Sequence, residues 1–310
     1  MNKLFQVAGL AALVALGACA KKSEEAAPAA AEPAAPAIAA VAASAEVTPF
    51  TIGEFQAASI VDGGMTVPND NKVLAINAKK ADVEALLAAN GLPTDTLSLS
   101  IHPLLVRTAD KVLLFDTGGG ALLGPNGGKL QANLAASNID PASVTDIFIS
   151  HSHGDHIGGL VAGDALAFPN ATIHMEAAEW AFFKSQAPLA AIVALVTPKV
   201  AEFEPNADLV PGVKAVDIKG HTPGHSGYLI TSGDQSLLYV GDMVHHSVIS
   251  VQKPDWTIAF DSDAATAQAS RKEVIAASAT SAQRIYAYHF PVPGMGKFEQ
   301  MGDHYMWKAE

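Results

Sequence analysis

His151-Ser152-His153-Gly154-Asp155-His156 places three imidazoles and a carboxylate within six positions. Neutral imidazole nitrogen and carboxylate oxygen are the donors that borderline divalent cations such as Zn²⁺ prefer, and little else offsets crowding them together. The run reads as part of a metal site. Before it, Val144-Thr145-Asp146-Ile147-Phe148-Ile149-Ser150 is β-branched and apolar enough for a buried strand, and Gly154, Gly158 and Gly159 make the following chain a tight loop. The histidines therefore stand where a strand ends. Six residues cannot enclose an ion, so further ligands must come from elsewhere.

Three candidates share that setting. His225 closes Gly220-His221-Thr222-Pro223-Gly224-His225, a sharp turn before the strand-like Tyr228-Leu229-Ile230. Asp242 follows the apolar Ser236–Val240 and Gly241, and His289 follows Arg284–Tyr288. Each lies just past an apolar strand, so one edge of a sheet system can gather all of them. Between the strands run Ala-rich segments of helical character, Lys80 to Asn90, Leu130 to Ser137 and Asp263 to Ala279, which suggests sheets covered by helices.

The HxHxDH run, the GHTPGH turn, the Gly-Asp after a strand and the late histidine resemble, in order and approximate spacing, the metallo-β-lactamase superfamily. That resemblance implies an α/β fold of the αββα sandwich type, a single domain over residues 47–310. It further implies two divalent metal ions. His151, His153 and His225 would hold one, Asp155, His156 and His289 the other, and Asp242 would bridge them. Zn²⁺ suits these ligands, as do Mn²⁺, Fe²⁺ and Co²⁺. A water shared by two such ions gives a hydroxide near neutral pH, and hydrolysis is the natural reaction. Asp155 is expected to relay a proton to the leaving group as well as to ligate. Asp116, in Phe115-Asp116-Thr117-Gly118, would support the metal loop through hydrogen bonds, and His221 is expected to orient its neighbours rather than ligate.

Asp242 also bears on activity, because the true β-lactamases of the superfamily generally lack a bridging carboxylate there. The stretches GDMVHHSVISVQKPDW and YAYHFPVPGMG look similar to the methyl parathion hydrolase group and its lactonase and arylesterase relatives. The resemblance thus favours cleavage of a small apolar ester, lactone or organophosphate. β-Lactam or thiolester hydrolysis, or metal binding without turnover, are the alternatives. Trp180 and Phe183 are the sequence's candidates for an apolar substrate wall, and Trp256, Ile258 and Phe260 alternate like a strand face.

The first residues are of another kind. Lys3, the apolar stretch Leu4–Leu16 and Leu16-Gly17-Ala18-Cys19 look like a bacterial lipoprotein signal over residues 1–18, cleaved before a lipidated Cys19. Cys19 is the only cysteine, so it has no disulfide partner within the chain. Residues 19–46, mostly Ala, Pro and Glu, would form a semi-extended tether. The chain is thus expected at the cell envelope, anchored to the outer membrane and facing the periplasm. Its formal charge of −12 becomes −13 once the signal and its single charged residue, Lys3, are removed. With only Arg107, Arg271 and Arg284 as arginines, it presents no basic face for nucleic acid. Oligomeric state is not encoded in any recognisable feature.

Overall fold

The computed structural model describes residues 38–310. The signal, Cys19 and most of the tether lie outside the described residues. The last of the tether stretch, however, packs on the domain. Val41 is buried in its core, Ala42 accepts a hydrogen bond from Ser137 Oγ, and Glu46 pairs with Lys129 and Asn133.

Two seven-stranded sheets carry the fold. The first runs, in spatial order, Val47–Ile52, Phe55–Ile60, Leu104–Arg107, Val112–Phe115, Asp146–Phe148, Thr172–Glu176 and Val200–Phe203. Its last four strands are parallel to one another and its first four antiparallel. The second sheet runs Asp208–Val210, Val213–Asp217, Ser226–Ser232, Gln235–Tyr239, Arg284–Tyr286, Met295–Met301 and His304–Ala309. Its one parallel pair, Gln235–Tyr239 beside Arg284–Tyr286, is joined through the helix Ala264–Ser281.

Strand alternation explains the layering. In the first sheet Leu113 and Phe115 point to one face and Leu114 to the other, and in the second Leu237 and Tyr239 oppose Leu238. The inward sets meet in one core, where Phe115 stacks on Phe148 at 4.9 Å and both contact Tyr228. Outward residues of the first sheet, Leu114 and Ile147 among them, pack under the helices Leu130–Ala136, Ala177–Ser185 and Ala190–Val196. Those of the second, Leu238 and Ile285, pack under Ala264–Ser281 through Ile275. The result is helix, sheet, sheet, helix, as the sequence leads one to expect.

A separate two-stranded antiparallel sheet, Gly63–Pro68 with Thr96–Ile101, is joined through the helix Lys80–Ala89 and pairs Met65 with Leu99. Trp180 and Phe183, expected near substrate, are instead core residues. They meet edge to face at 5.6 Å, 4 % and 0 % exposed, on the buried side of Ala177–Ser185. On a helix lying against a sheet, large apolar groups turn inward because burial of each is worth about 2–3 kcal/mol.

Candidate metal centre

Every candidate ligand sits past the C-terminal end of a strand or in the turn between two. Asp116 follows Val112–Phe115, the HSHGDH run follows Asp146–Phe148, Asp242 follows Gln235–Tyr239 and His289 follows Arg284–Tyr286. Gly241 makes this approach possible. Its φ is +49°, and a Cβ there would stand 2.7 Å from His225 Nε2 and 2.9 Å from Ser150 Cβ.

The hydrogen bonds of the histidines decide which nitrogens face the centre. Ser150 Oγ donates to Asp116 Oδ2 at 2.6 Å, so His151 Nδ1, 3.1 Å from that oxygen, is the donor to it. His156 Nδ1 donates to Asp116 Oδ2 at 2.7 Å, His289 Nδ1 to the Ser100 carbonyl at 2.7 Å, and His221 Nδ1 to Asp261 Oδ1 at 2.9 Å. Each of these four rings thereby carries its proton outward and turns an Nε2 lone pair inward. His153 contributes Nδ1 instead. His151 Nε2 and His221 Nε2 stand 3.0 and 3.1 Å from it, and Asp242 Oδ2 lies 3.6 Å from His151 Nε2 and 3.4 Å from His221 Nε2.

A tetrahedral ion with metal–nitrogen bonds of about 2.0–2.1 Å spaces its ligands by roughly 3.3 Å. The donor set fits that spacing. A second group is built from Asp155, His156 and His289, with Asp155 Oδ2 at 3.7 and 3.4 Å from the two Nε2 atoms. Asp242 Oδ1 faces this group, 3.1 Å from both His156 Nε2 and His289 Nε2, while its Oδ2 lies between the two groups, also 3.3 Å from His289 Nε2. Among the described residues, His156 Nε2 and Asp242 Oδ1 are buried without a hydrogen-bond partner. Orphaned polar atoms in a dry interior cost about 1–3 kcal/mol each. A cation between them removes that cost.

The expected roles of His221 and His225 are exchanged. His225 Nδ1 donates to the Ile218 carbonyl at 2.8 Å and its Nε2 accepts the Asp242 backbone N–H at 2.9 Å, so neither nitrogen is left for an ion. Burial, reinforced by the nearby His221, pushes the His225 ring down to about 3, which keeps it neutral in this strut role. His221, expected as an orienting residue, converges with His151, His153 and Asp242. Asp261, itself 3.2 Å from Arg271 Nη2, is what turns it there.

Burial would raise the Asp242 carboxyl, but the facing imidazoles of His156, His289, His245 and His151 hold it well below the carboxylate range. Asp116 accepts from Ser150 N, Ser150 Oγ, His156 Nδ1 and Tyr239 Oη at 2.6–2.7 Å while sitting at φ +56°. A non-glycine residue in that region costs roughly 1 kcal/mol or more, so four bonds hold the strained carboxylate that in turn holds the metal loop.

A cavity of about 260 Å³ opens over these groups, lined by Met65, Leu99, Leu123, Phe260, Asp155 and His245 with other site residues. His245 carries no sequence motif beyond its nearness to Asp242. It is buried, its Nε2 lies 3.0 Å from Asp242 Oδ2 out of line for a hydrogen bond, neither ring nitrogen has a partner among the described residues, and with Asp242 and His289 it forms a third group able to hold an ion. His246 instead accepts the N–H groups of Val248 and Ile249 at the start of the helix Ile249–Gln252. Of the alternating trio, only Phe260 reaches the cavity; Ile258 and Trp256 pack in a side cluster.

Relatives of known structure agree with this architecture. AidC, a dizinc quorum-quenching lactonase solved with its product, is 29% identical and superposes with a TM-score of 0.81 over 85% of this chain and 97% of its own. The hydrolase AbOPH of the β-lactamase superfamily is 25% identical, with a TM-score of 0.79 over 87% of this chain and 99% of its own. A probable metallo-hydrolase of Mycobacterium tuberculosis is 28% identical over 186 residues, 48% of this chain. The chain spans only 58% of that relative's length. The sequence model of the metallo-beta-lactamase superfamily matches residues 99–289, well over half of the chain, and the protein belongs to that superfamily.

Proposed function

We propose that the protein is a dinuclear metal-dependent hydrolase of small, uncharged, apolar lactones and esters, with phosphotriesters as poorer substrates. The observation that carries this reading is the division of donors on either side of Asp242. His151, His153 and His221 would hold one ion, Asp155, His156 and His289 the other, and Asp242 stands between the sets, Oδ1 toward the second and Oδ2 within reach of both. Ions so held would supply a hydroxide nucleophile at neutral pH and polarise the oxygen of a bound carbonyl or phosphoryl group. Zn²⁺ is the first choice of metal, in keeping with the donors and with AidC, a dizinc enzyme.

The chain's own groups do the rest. Met65, Leu99, Leu123 and Phe260 exclude water and bind an apolar substituent, and among the described residues no lysine or arginine lines the cavity to recognise a carboxylate or phosphate monoester. That inventory supports a lactone over a β-lactam antibiotic, which carries a carboxylate. At about 260 Å³ the cavity sits below the usual range for drug-sized ligands, roughly 300–1,000 Å³, so a short acyl or aryl group fits best. Asp155 borders the cavity and is placed to pass a proton to the leaving oxygen. His245 borders the cavity and, with Asp242 and His289, forms a further group of possible ligands beside the second ion's position. Asp155→Asn should lower kcat by about 100-fold or more even with the metal restored; full turnover across the pH range would remove Asp155 from the proton path.

The test is a panel of relative kcat/KM values for the full chain in detergent, loaded with Zn²⁺. N-hexanoyl-homoserine lactone, p-nitrophenyl acetate, methyl paraoxon and a penicillin should rank in that order. Two bound equivalents with no turnover on any of them would instead support a metal-binding protein.

A further inference from the structure

Glu179 lies on the helix Ala177–Ser185 and is fully buried. Among the described residues no lysine or arginine pairs with its carboxylate. All four of its side-chain hydrogen bonds come instead from the two loops that carry the three-imidazole half of the site. Oε1 accepts from Ser152 N at 2.7 Å and Ser152 Oγ at 2.6 Å, and Oε2 accepts from Thr222 Oγ1 at 2.6 Å and Gly224 N at 3.1 Å. Ser152 stands between His151 and His153, and Thr222 directly follows His221. One side chain thereby spans the gap between both ligand loops.

Its surroundings are built to hold it there. Glu176 Oε2 accepts the N–H groups of Ala178 and Glu179 at 2.9 and 3.1 Å, capping the helix. Gln186 Nε2 donates to Ser152 Oγ at 2.9 Å from the helix's other end. Gly224 rests directly on the first turn, where a Cβ would stand 2.0 Å from Glu176 Oε2 and 2.3 Å from Glu179 N. A buried anion without a cation is costly, and four donors only partly offset it. A positive charge in the adjacent cage would complete the compensation.

We propose that Glu179 is a positioning residue: it fixes the distance between the HSH loop and the GHTPG loop, and so sets the affinity of the His151/His153/His221 position for its ion. The inference rests on the dinuclear reading above. The other half has independent supports, since His156 is held by Asp116, His289 by the Ser100 carbonyl and the Asp242 backbone by His225. Losing Glu179 therefore acts on one ion and spares the other. Glu179→Gln keeps the shape but turns an amide N–H₂ toward groups that are themselves donors.

The experiment compares the full wild-type chain with Glu179→Gln and Thr222→Val, each loaded with Co²⁺ and titrated with a chelator while bound metal is counted. Wild type should hold two equivalents. Glu179→Gln should lose one equivalent at about 10- to 100-fold lower chelator and keep the second within about threefold of wild type. The paramagnetically shifted ring N–H resonances of His151, His153 and His221 should disappear with the lost ion, and those of His156 and His289 should remain. Excess metal should restore turnover, which a damaged fold would not allow. Should Glu179→Gln not fold, Thr222→Val, which deletes a single donor, must shift the same ion by about 3- to 10-fold. Retention of both ions at wild-type affinity, or equal loss of both, overturns the proposal. Fewer than two equivalents on the wild-type chain overturns the dinuclear reading, and this inference with it.

Discussion

A histidine is a ligand or a strut according to where its second nitrogen goes. In GHTPGH the two imidazoles are identical in type and four positions apart, and nothing local tells which one turns inward. Asp261, forty residues away, takes the Nδ1 proton of His221 and so aims its Nε2, whereas the Ile218 carbonyl and the Asp242 N–H occupy both nitrogens of His225. The two substitutions should part accordingly. His221→Ala removes a donor, and metal analysis should find one equivalent missing. His225→Ala leaves the donors in place but deprives the buried Asp242 N–H of its acceptor, a loss of about 1–3 kcal/mol in stability and of about 10- to 100-fold in metal affinity. Equal stoichiometric loss in the two variants would return His225 to the ligand set. Asp116 is a different situation, since the resemblance alone assigns it a supporting place, and it accepts three hydrogen bonds from Ser150 and His156 and a fourth from Tyr239.

Elements follow the same division. The helices over Lys80–Ala89, Leu130–Ala136 and Ala264–Ser281 lie within a few residues of the segments read from composition, and the strands before Asp242 and His289 stand where apolar runs place them. Register is less local. Asp146 fixes it across three neighbouring parallel strands, accepting from Lys111 Nζ at 2.8 Å and His174 Nε2 at 2.9 Å. Burial pushes this carboxyl up, but the bonds from His174, Lys111 and Thr145 outweigh it and hold it well below the ordinary 3.8. A folded pKa below the unfolded one means stability that is fully present above about pH 4 and is lost as pH falls through the folded value. Urea unfolding between pH 7 and 2 should therefore show Asp146→Asn about 2 kcal/mol less stable at neutral pH, with a shallower loss below pH 4 than wild type. Parallel curves would exclude Asp146 from acid unfolding. The strand pair that brings Met65 opposite Leu99 over the site lacks such a signature, because its function as a wall exists only once it is folded across the strand ends. Trp180 and Phe183 mislead for the related reason that an aromatic at helical spacing looks the same whether it faces a core or a ligand.

For the molecule as a whole, the N-terminal segment and the net charge of −12 bear on location and partners rather than on chemistry. If Cys19 carries lipid, the wild-type chain should fractionate with membranes and take up labelled palmitate. Cys19→Ser should do neither, and should appear in the soluble fraction with unchanged kcat/KM; a membrane-bound Cys19→Ser chain would rule out this anchor. The sequence by itself determined that apolar strands alternate with helical segments and that most candidate donors follow strand ends, because strands, glycine-rich turns and histidine-rich runs are written in contiguous residues; the helix–sheet–sheet–helix plan came through the superfamily its motifs resemble. Only the tertiary structure decided which histidine of GHTPGH faces the centre, that Phe260, Met65, Leu99 and Leu123 rather than Trp180 and Phe183 form the wall, and that Glu179 ties the ligand loops together. Each of those outcomes depends on a partner tens of residues distant in the chain, and a side chain's direction is set by the hydrogen bonds and packing that such partners supply.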